Sequence, residues 1–125
     1  MKFAYGVLYR LENNLREYIK ETMTREYGHG WWIKAPLANN YPAYKKHFNN
    51  LYFHEVISLL LAYECSITQF PATLQSQLTA TIPIRNKIAH MKVLSEEEYQ
   101  QLITTNIKVK AVINNNNESE KRILR

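Results

Sequence analysis

Ala4, Leu8, Leu11, Leu15, Ile19 and Met23 recur at intervals of three and four, which places them in one apolar stripe along a long helix. Gly28 predicts its end. On the opposite face Glu12 pairs with Arg16 and Glu21 with Arg25 at i,i+4, and both pairs read as solvated decoration. A second helix is expected from about Asn50 to Cys65, where Phe53, Val56, Ile57, Leu60 and Leu61 spread too broadly for a stripe and so belong at the centre of the core. Pro71 suits the first turn of a third helix with Leu74 and Leu78 inward. Pro83 then removes the amide that would bond to Thr79, so the chain either kinks or starts a fresh helix just before Arg85. In the second case free first-turn amides would help to hold a phosphate.

The last helix is bounded by its own signals. Ser95 can cap it, Glu98 completes a capping box, and Leu94 can staple against Tyr99. Tyr99, Leu102, Ile103, Asn106, Lys110 and Ile113 then keep a helical period. From Gly28 to Phe48 the pattern breaks: Pro36, Pro42 and Asn39-Asn40 predict an ordered loop, the one long crossover. Its Trp31, Trp32, Tyr41 and Tyr44 are expected to pack over one end of the bundle, with base stacking as the alternative use of such rings. Residues 114–125 form a polar run with too little apolar surface to order itself, read as a flexible C-terminal tail behind a helical domain of residues 1–113. Helices on mostly short connections, with little strand-like alternation, predict an all-α fold, an antiparallel bundle of four or five helices.

Composition narrows the function only slightly. A chain of 125 residues holds one core and is too short for two ordinary domains. The net charge of +5 is compatible with a polyanionic partner, and its distribution says more than its total. No acid lies between Glu64 and Glu96, where Arg85, Lys87 and Lys92 fall; none lies between Tyr27 and His54, where Lys34, Lys45 and Lys46 fall. Cys65 has no partner for a disulfide and is expected to fill core space. With no Asp, no His-x-x-x-His pair and no cysteine cluster, His29, His47 and His54 read as surface or packing residues rather than metal ligands, and no cofactor is implied. Most of the nine tyrosines, among them Tyr5, Tyr9, Tyr52, Tyr63 and Tyr99, are expected half-buried at helical positions. No signal peptide and no membrane span is read, so the expected location is the cytoplasm.

The chemistry concentrates in Arg85-Asn86-Lys87-Ile88-Ala89-His90. Arginine is a permanently charged fork that fits phosphate oxygens, and histidine is the side chain that exchanges protons near neutrality. Together they suit phosphodiester cleavage without a metal. Asn86 and His90 are neighbours on one helical face, whereas Arg85 projects about 100° from Asn86 and must converge through its long stem. The same three residues could also cap, pair and solvate a helix end with no chemistry at all.

A helical bundle with Arg-Asn-x-x-x-His in a late helix resembles the HEPN superfamily, many members of which are endoribonucleases. Arg85, Asn86 and His90 match its Arg, following polar residue and His. Tyr27-Gly28, Trp31-Trp32 and Leu51-Tyr52-Phe53 are similar to a branch associated with RNA-surveillance and bacterial defence nucleases, and the resemblance covers roughly residues 4–113. It implies a homodimer in which both motifs line one cleft. His90 would act as general base or acid, Arg85 would stabilise the charged transition state, and Asn86 would orient His90 or hold a phosphate oxygen. Lys87, Lys92, Lys45 and Lys46 would attract RNA. The products would be a 2′,3′-cyclic phosphate and a 5′-hydroxyl. The resemblance also implies a toxin or phage-defence role, with an antitoxin or an associated defence protein as partner. The alternative is a non-catalytic RNA- or nucleotide-binding or dimerisation module.

Overall fold

A computed structural model describes residues 2–123, with side chains described for residues 3–115. The order is α1 (Lys2–Tyr27), α2 (Trp31–Ala38), a 3-10 turn (Phe48–Asn50), α3 (Phe53–Ala62), α4 (Glu64–Ile67), α5 (Ala72–Ala89) and α6 (Glu96–Ile123). No strand occurs among the described residues, so the all-α bundle follows as expected. The helices among the described residues number six, and the two short ones, α2 and α4, are additional to those the sequence made legible.

The stripe on α1 is buried as its spacing requires: Leu11, Leu15, Ile19 and Met23 are all fully enclosed. α1 packs most extensively against α6, which contributes Leu102 and Val109, and α5 packs against both α6 and α3. The helix stops at Gly28, whose φ of +85° is the left-handed conformation that glycine adopts without strain and whose N–H donates to the Thr24 carbonyl at 2.8 Å. Arg16 is more than solvated decoration. Its guanidinium donates to the carbonyls of Leu51 at 2.6 Å and Phe48 at 3.4 Å, fastening the crossover to α1, while Glu12 stands 3.9 Å from it.

The expected loop from Gly28 to Phe48 contains α2. Pro36 lies inside that helix and removes one amide, an interior cost of roughly 3 kcal/mol. Trp31 and Ala35, one turn apart, are both buried, and enclosing the large Trp31 side chain returns about 1.5–3 kcal/mol, which offsets much of the loss. The aromatic packing expected of this segment is present: Trp32 stacks on Tyr44 at 4.1 Å, and Trp31 meets Phe48 edge to face at 5.2 Å.

The helix expected from Asn50 to Cys65 is three pieces. α3 begins only at Phe53, where the Glu55 carboxylate accepts the Tyr52 N–H at 2.9 Å. It ends because Tyr63 turns extended (φ −113°, ψ 131°) to bury its ring and pair its hydroxyl with that of Tyr44 at 2.7 Å. Ser66, fully buried in α4, donates its hydroxyl to the carbonyls of Leu60 at 2.7 Å and Tyr63 at 2.9 Å, taking up backbone groups that the break frees. Pro71 precedes α5 at its cap rather than lying in its first turn. α6 continues to Ile123 instead of ending at Ile113, since a helix already formed propagates through polar residues more readily than it starts in them. Of the expected tail, Leu124 and Arg125 lie outside the described residues.

Candidate functional site

α5 runs unbroken from Ala72 to Ala89 through Pro83. There is therefore no helix N-terminus at Arg85, and the reading that free amides hold a phosphate there falls. The residue whose carbonyl loses its partner, Thr79, is exposed, so water can satisfy it. The motif instead occupies the closing turns, and His90 is the C-cap.

That C-terminus is a Schellman turn. Lys92 N–H donates to Lys87 O at 2.8 Å, Met91 N–H to Ile88 O at 3.0 Å, and His90 N–H to Asn86 O at 3.1 Å. Met91 takes the left-handed position at φ 57°, where glycine is usual. The turn fixes where the His90 backbone ends while leaving its imidazole in solvent.

Asn86 and His90 are exposed and Arg85 half-buried, and among the described residues none of the three side chains makes a hydrogen bond or ion pair. Arg85 lines an open groove of about 540 Å³ between α1 and α5, together with Tyr5, Leu8, Tyr9, Glu12, Ile88, Ala89 and Met91. Neither Asn86 nor His90 lines it. Five residues at 3.6 per turn separate Arg85 from His90 by about 140° around the axis, so one chain presents the cation and the imidazole on different aspects of the helix.

Lys87 is not free. Its ammonium meets the Glu98 carboxylate at 2.7 Å, and the other oxygen of that carboxylate accepts the Ser95 N–H at 2.9 Å. The capping box read from the sequence is thus present, with Glu98 N–H donating back to the Ser95 hydroxyl at 3.1 Å, and it doubles as the anchor that joins α6 to α5. The Lys87 hydrogen bond first, and the Ser95 amide second, hold the Glu98 carboxyl below the usual carboxylate range.

With this geometry in place, comparison with known families is decisive: residues 7–113 match the family model described as Swt1-like HEPN. The chain belongs to that family. The Swt1-like branch is related to ribonucleases, so membership associates this HEPN domain with ribonuclease or RNA-related function. No curated protein and no solved structure gives a significant match to the chain.

None of Lys45, Lys46 and Lys92 lines the groove of Arg85 in the HEPN domain. Lys46 is bound to Glu55 at 2.7 Å and sits 3.9 Å over the Tyr52 ring, an arrangement that lowers the Glu55 carboxyl through the Lys46 hydrogen bond first and the Tyr52 amide second. Lys45 lines a separate cavity with Tyr41, Tyr44, Leu59 and Ala62. Lys92 is exposed, just after the turn. His47 caps the 3-10 turn by accepting the Asn49 N–H at 3.2 Å, and His54 stacks on Tyr52. No group of three His, Cys or acidic residues is arranged to hold a metal among the described residues, and no helix there is long and apolar enough to cross a membrane.

The sequence reading missed Tyr5, Tyr9 and Glu12. It expected the tyrosines half-buried, yet Tyr5 and Tyr9 are 63% and 59% exposed beside Arg85, and Tyr52 is exposed as well. Tyr63, by contrast, is fully enclosed, and burial drives its hydroxyl pKa far above the ordinary phenol value. The missed residues follow one another at i,i+4 and i,i+3 on α1, a spacing visible in the sequence; which helix they would face was not.

Proposed function

We propose that this HEPN domain is a metal-independent endoribonuclease that cleaves RNA by attack of a ribose 2′-hydroxyl on the adjacent phosphate. The observation that carries the reading is that Arg85, Asn86 and His90 spend none of their side-chain bonding on the fold: no partner among the described residues engages them. A side chain whose role was to cap or pair the helix end would be engaged, and the assay below separates catalysis from simple solvation.

In this reading His90 removes the 2′-hydroxyl proton or protonates the departing 5′-oxygen, a role typically worth 10²- to 10⁴-fold in rate. Arg85 stabilises charge on the phosphoryl oxygens, and Asn86 holds one of those oxygens or orients the ring. The 2′-oxygen bonds to phosphorus as the 5′-oxygen leaves, which gives a 2′,3′-cyclic phosphate and a 5′-hydroxyl. DNA lacks the nucleophile.

The angular separation of Arg85 and His90 supports a homodimer in which two motifs face one phosphate, so that the arginine of one copy and the histidine of the other serve it together. Met91 and Val93, 87% and 85% exposed on either side of Lys92, are apolar side chains of the kind such a contact would enclose. A toxin or phage-defence role in the cytoplasm, held in check by an antitoxin or an associated defence protein, accords with an exposed site of this kind. The competing reading, an RNA-binding module without chemistry, is favoured by Arg85 lying in a groove that His90 does not share.

The test is cleavage of a mixed RNA pool in EDTA by wild type and His90→Ala, with analysis of the product ends. Cyclic phosphate ends that vanish in the variant support the ribonuclease. RNA that is bound by both proteins and cut by neither supports the binding module.

A further inference from the structure

The groove between α1 and α5 contains groups that proton transfer leaves unused. Tyr5, Tyr9 and Glu12 share one flank of α1, while Ala4, Leu8, Leu11 and Leu15 turn into the core. Neither Tyr5 nor Tyr9 makes a hydrogen bond, a ring contact or a cation–π contact among the described residues. This sets them apart from Tyr18, Tyr41, Tyr44 and Tyr63, whose hydroxyls or rings are all engaged. Two unengaged aromatic rings one helical turn apart, across from an unengaged guanidinium, match the components of a nucleotide: an aromatic face for the base and a cation for its phosphate. The groove volume of about 540 Å³ falls within the range of small-molecule sites.

Glu12 adds a third component. Its Oε1 lies 3.9 Å from Arg16, whose guanidinium is already committed to the Leu51 and Phe48 carbonyls, so the carboxylate is steadied without losing its acceptor capacity. An ionised carboxylate only accepts hydrogen bonds. Among RNA bases guanine offers it two adjacent donors, N1–H and N2–H, on one edge, whereas uracil offers a single N–H flanked by two carbonyl oxygens that a carboxylate repels.

We propose that this groove is the nucleobase subsite of the domain, in which Tyr5 and Tyr9 stack on a base, Glu12 selects guanine through its Watson–Crick edge, and Arg85 holds the neighbouring phosphate. The inference rests on the RNA reading above and adds a preferred base to it. It assigns Tyr5, Tyr9 and Glu12 to substrate positioning rather than to bond cleavage.

The experiment uses the full chain carrying His90→Ala, so that binding is read without cleavage, and short single-stranded RNAs containing one guanine, one uracil or one abasic site in a constant background. Affinities are measured by fluorescence anisotropy at fixed salt, because phosphate contacts make them salt-dependent. Tyr9→Leu is expected to weaken binding of the guanine RNA by about 5- to 150-fold, the span of one base–aromatic stack, and to have no effect on the abasic RNA. Tyr9→Phe retains the ring and should stay within about 2-fold of the parent. Glu12→Gln should erase the preference for guanine over uracil and leave the abasic affinity unchanged.

Equal binding of all three RNAs by the parent overturns the proposal, as does an equal loss on guanine and abasic RNA. So does a loss in Tyr9→Leu that tracks dissociation of a dimer in sedimentation, which would assign the tyrosines to a contact between copies. Wild-type cleavage, scored separately, keeps the two readings distinct. Tyrosine-dependent binding without cleavage removes the ribonuclease and keeps the base site; cleavage without tyrosine or guanine dependence does the reverse.

Discussion

Lys87 on α5 and Glu98 on α6 form an ion pair of 2.7 Å through a carboxylate whose other oxygen caps the Ser95 amide. The pair spans the turn that follows His90, so its first duty is to the junction of the two helices. Because the Glu98 carboxyl is held below its ordinary range, its contribution to stability is complete at neutral pH. The contribution begins to fall as pH drops through the usual carboxylate value of 4.5 and is gone once pH is below the depressed one. Wild type should therefore exceed Glu98→Gln in thermal stability at pH 7, with the two converging in acid, as circular dichroism melts across pH would record. A difference that persists unchanged into strong acid would contradict the assignment. Lys87→Ala should show the same loss at pH 7 and little change in RNA affinity, since the ammonium is already committed.

His90→Ala and Arg85→Ala should each lower cleavage by 10²-fold or more while leaving the melting temperature within a degree or two, because neither side chain holds another part of the fold. Asn86→Ala should cost less, as an orienting group would. If Arg85 and His90 serve one phosphate from different copies, mixing the two inactive single variants should restore part of the activity in heterodimers. Measured activity of such mixtures separates a shared cleft from two independent ones.

Met91 holds a left-handed backbone at φ 57° and is 87% exposed. A side chain there carries a conformational cost of roughly 1–2 kcal/mol, and glycine removes it at the expense of about 0.4–1 kcal/mol in unfolded-chain entropy. Met91→Gly should accordingly raise unfolding stability by about 0.5–1 kcal/mol in a urea titration. If Met91 also belongs to a contact between copies, the same substitution should weaken the dimer while strengthening the monomer.

Ser66→Ala should destabilise by about 1–3 kcal/mol, since it strips the hydroxyl from the buried carbonyls of Leu60 and Tyr63 at the break between α3 and α4. Ser58→Ala, which removes an exposed hydroxyl bonded to His54 O at 3.0 Å, is the matched control and should change little. Chemical denaturation of both variants distinguishes a structural break from an incidental one.

The sequence made legible whatever depends on near neighbours. The α1 stripe, the Ser95–Glu98 cap and the Arg85–His90 spacing are all properties of residues within a few turns. α2 was hidden because Gly28, Gly30 and Pro36 are local break signals, overruled by the burial of Trp31 and Ala35 against distant elements. The break at Tyr63 has no glycine or proline to announce it, and the contacts that hold Tyr63 there come from afar, among them the ring of Tyr27 and the hydroxyl of Tyr44, nineteen positions away. The motif could be found in isolation, whereas Tyr5, Tyr9 and Glu12 join it only because α1 lies against α5. The Lys87 ammonium looked available for RNA because its acid comes from the next helix.

The extensive packing of α1 on α6 bears on how the chain acquires this structure. α2, α3, α4 and α5 also pack on the first helix, but its most extensive partner is the last to be made, so completing the core is a long-range event that carries its loop entropy up front. A nascent chain that stops short of α6 leaves the part of α1 that α6 covers exposed to whatever apolar surface it meets. The α5–α6 hairpin, by contrast, is tied by contacts close in sequence and can form early, which orders the segment bearing Arg85 and His90 ahead of the groove wall that Tyr5 and Tyr9 supply.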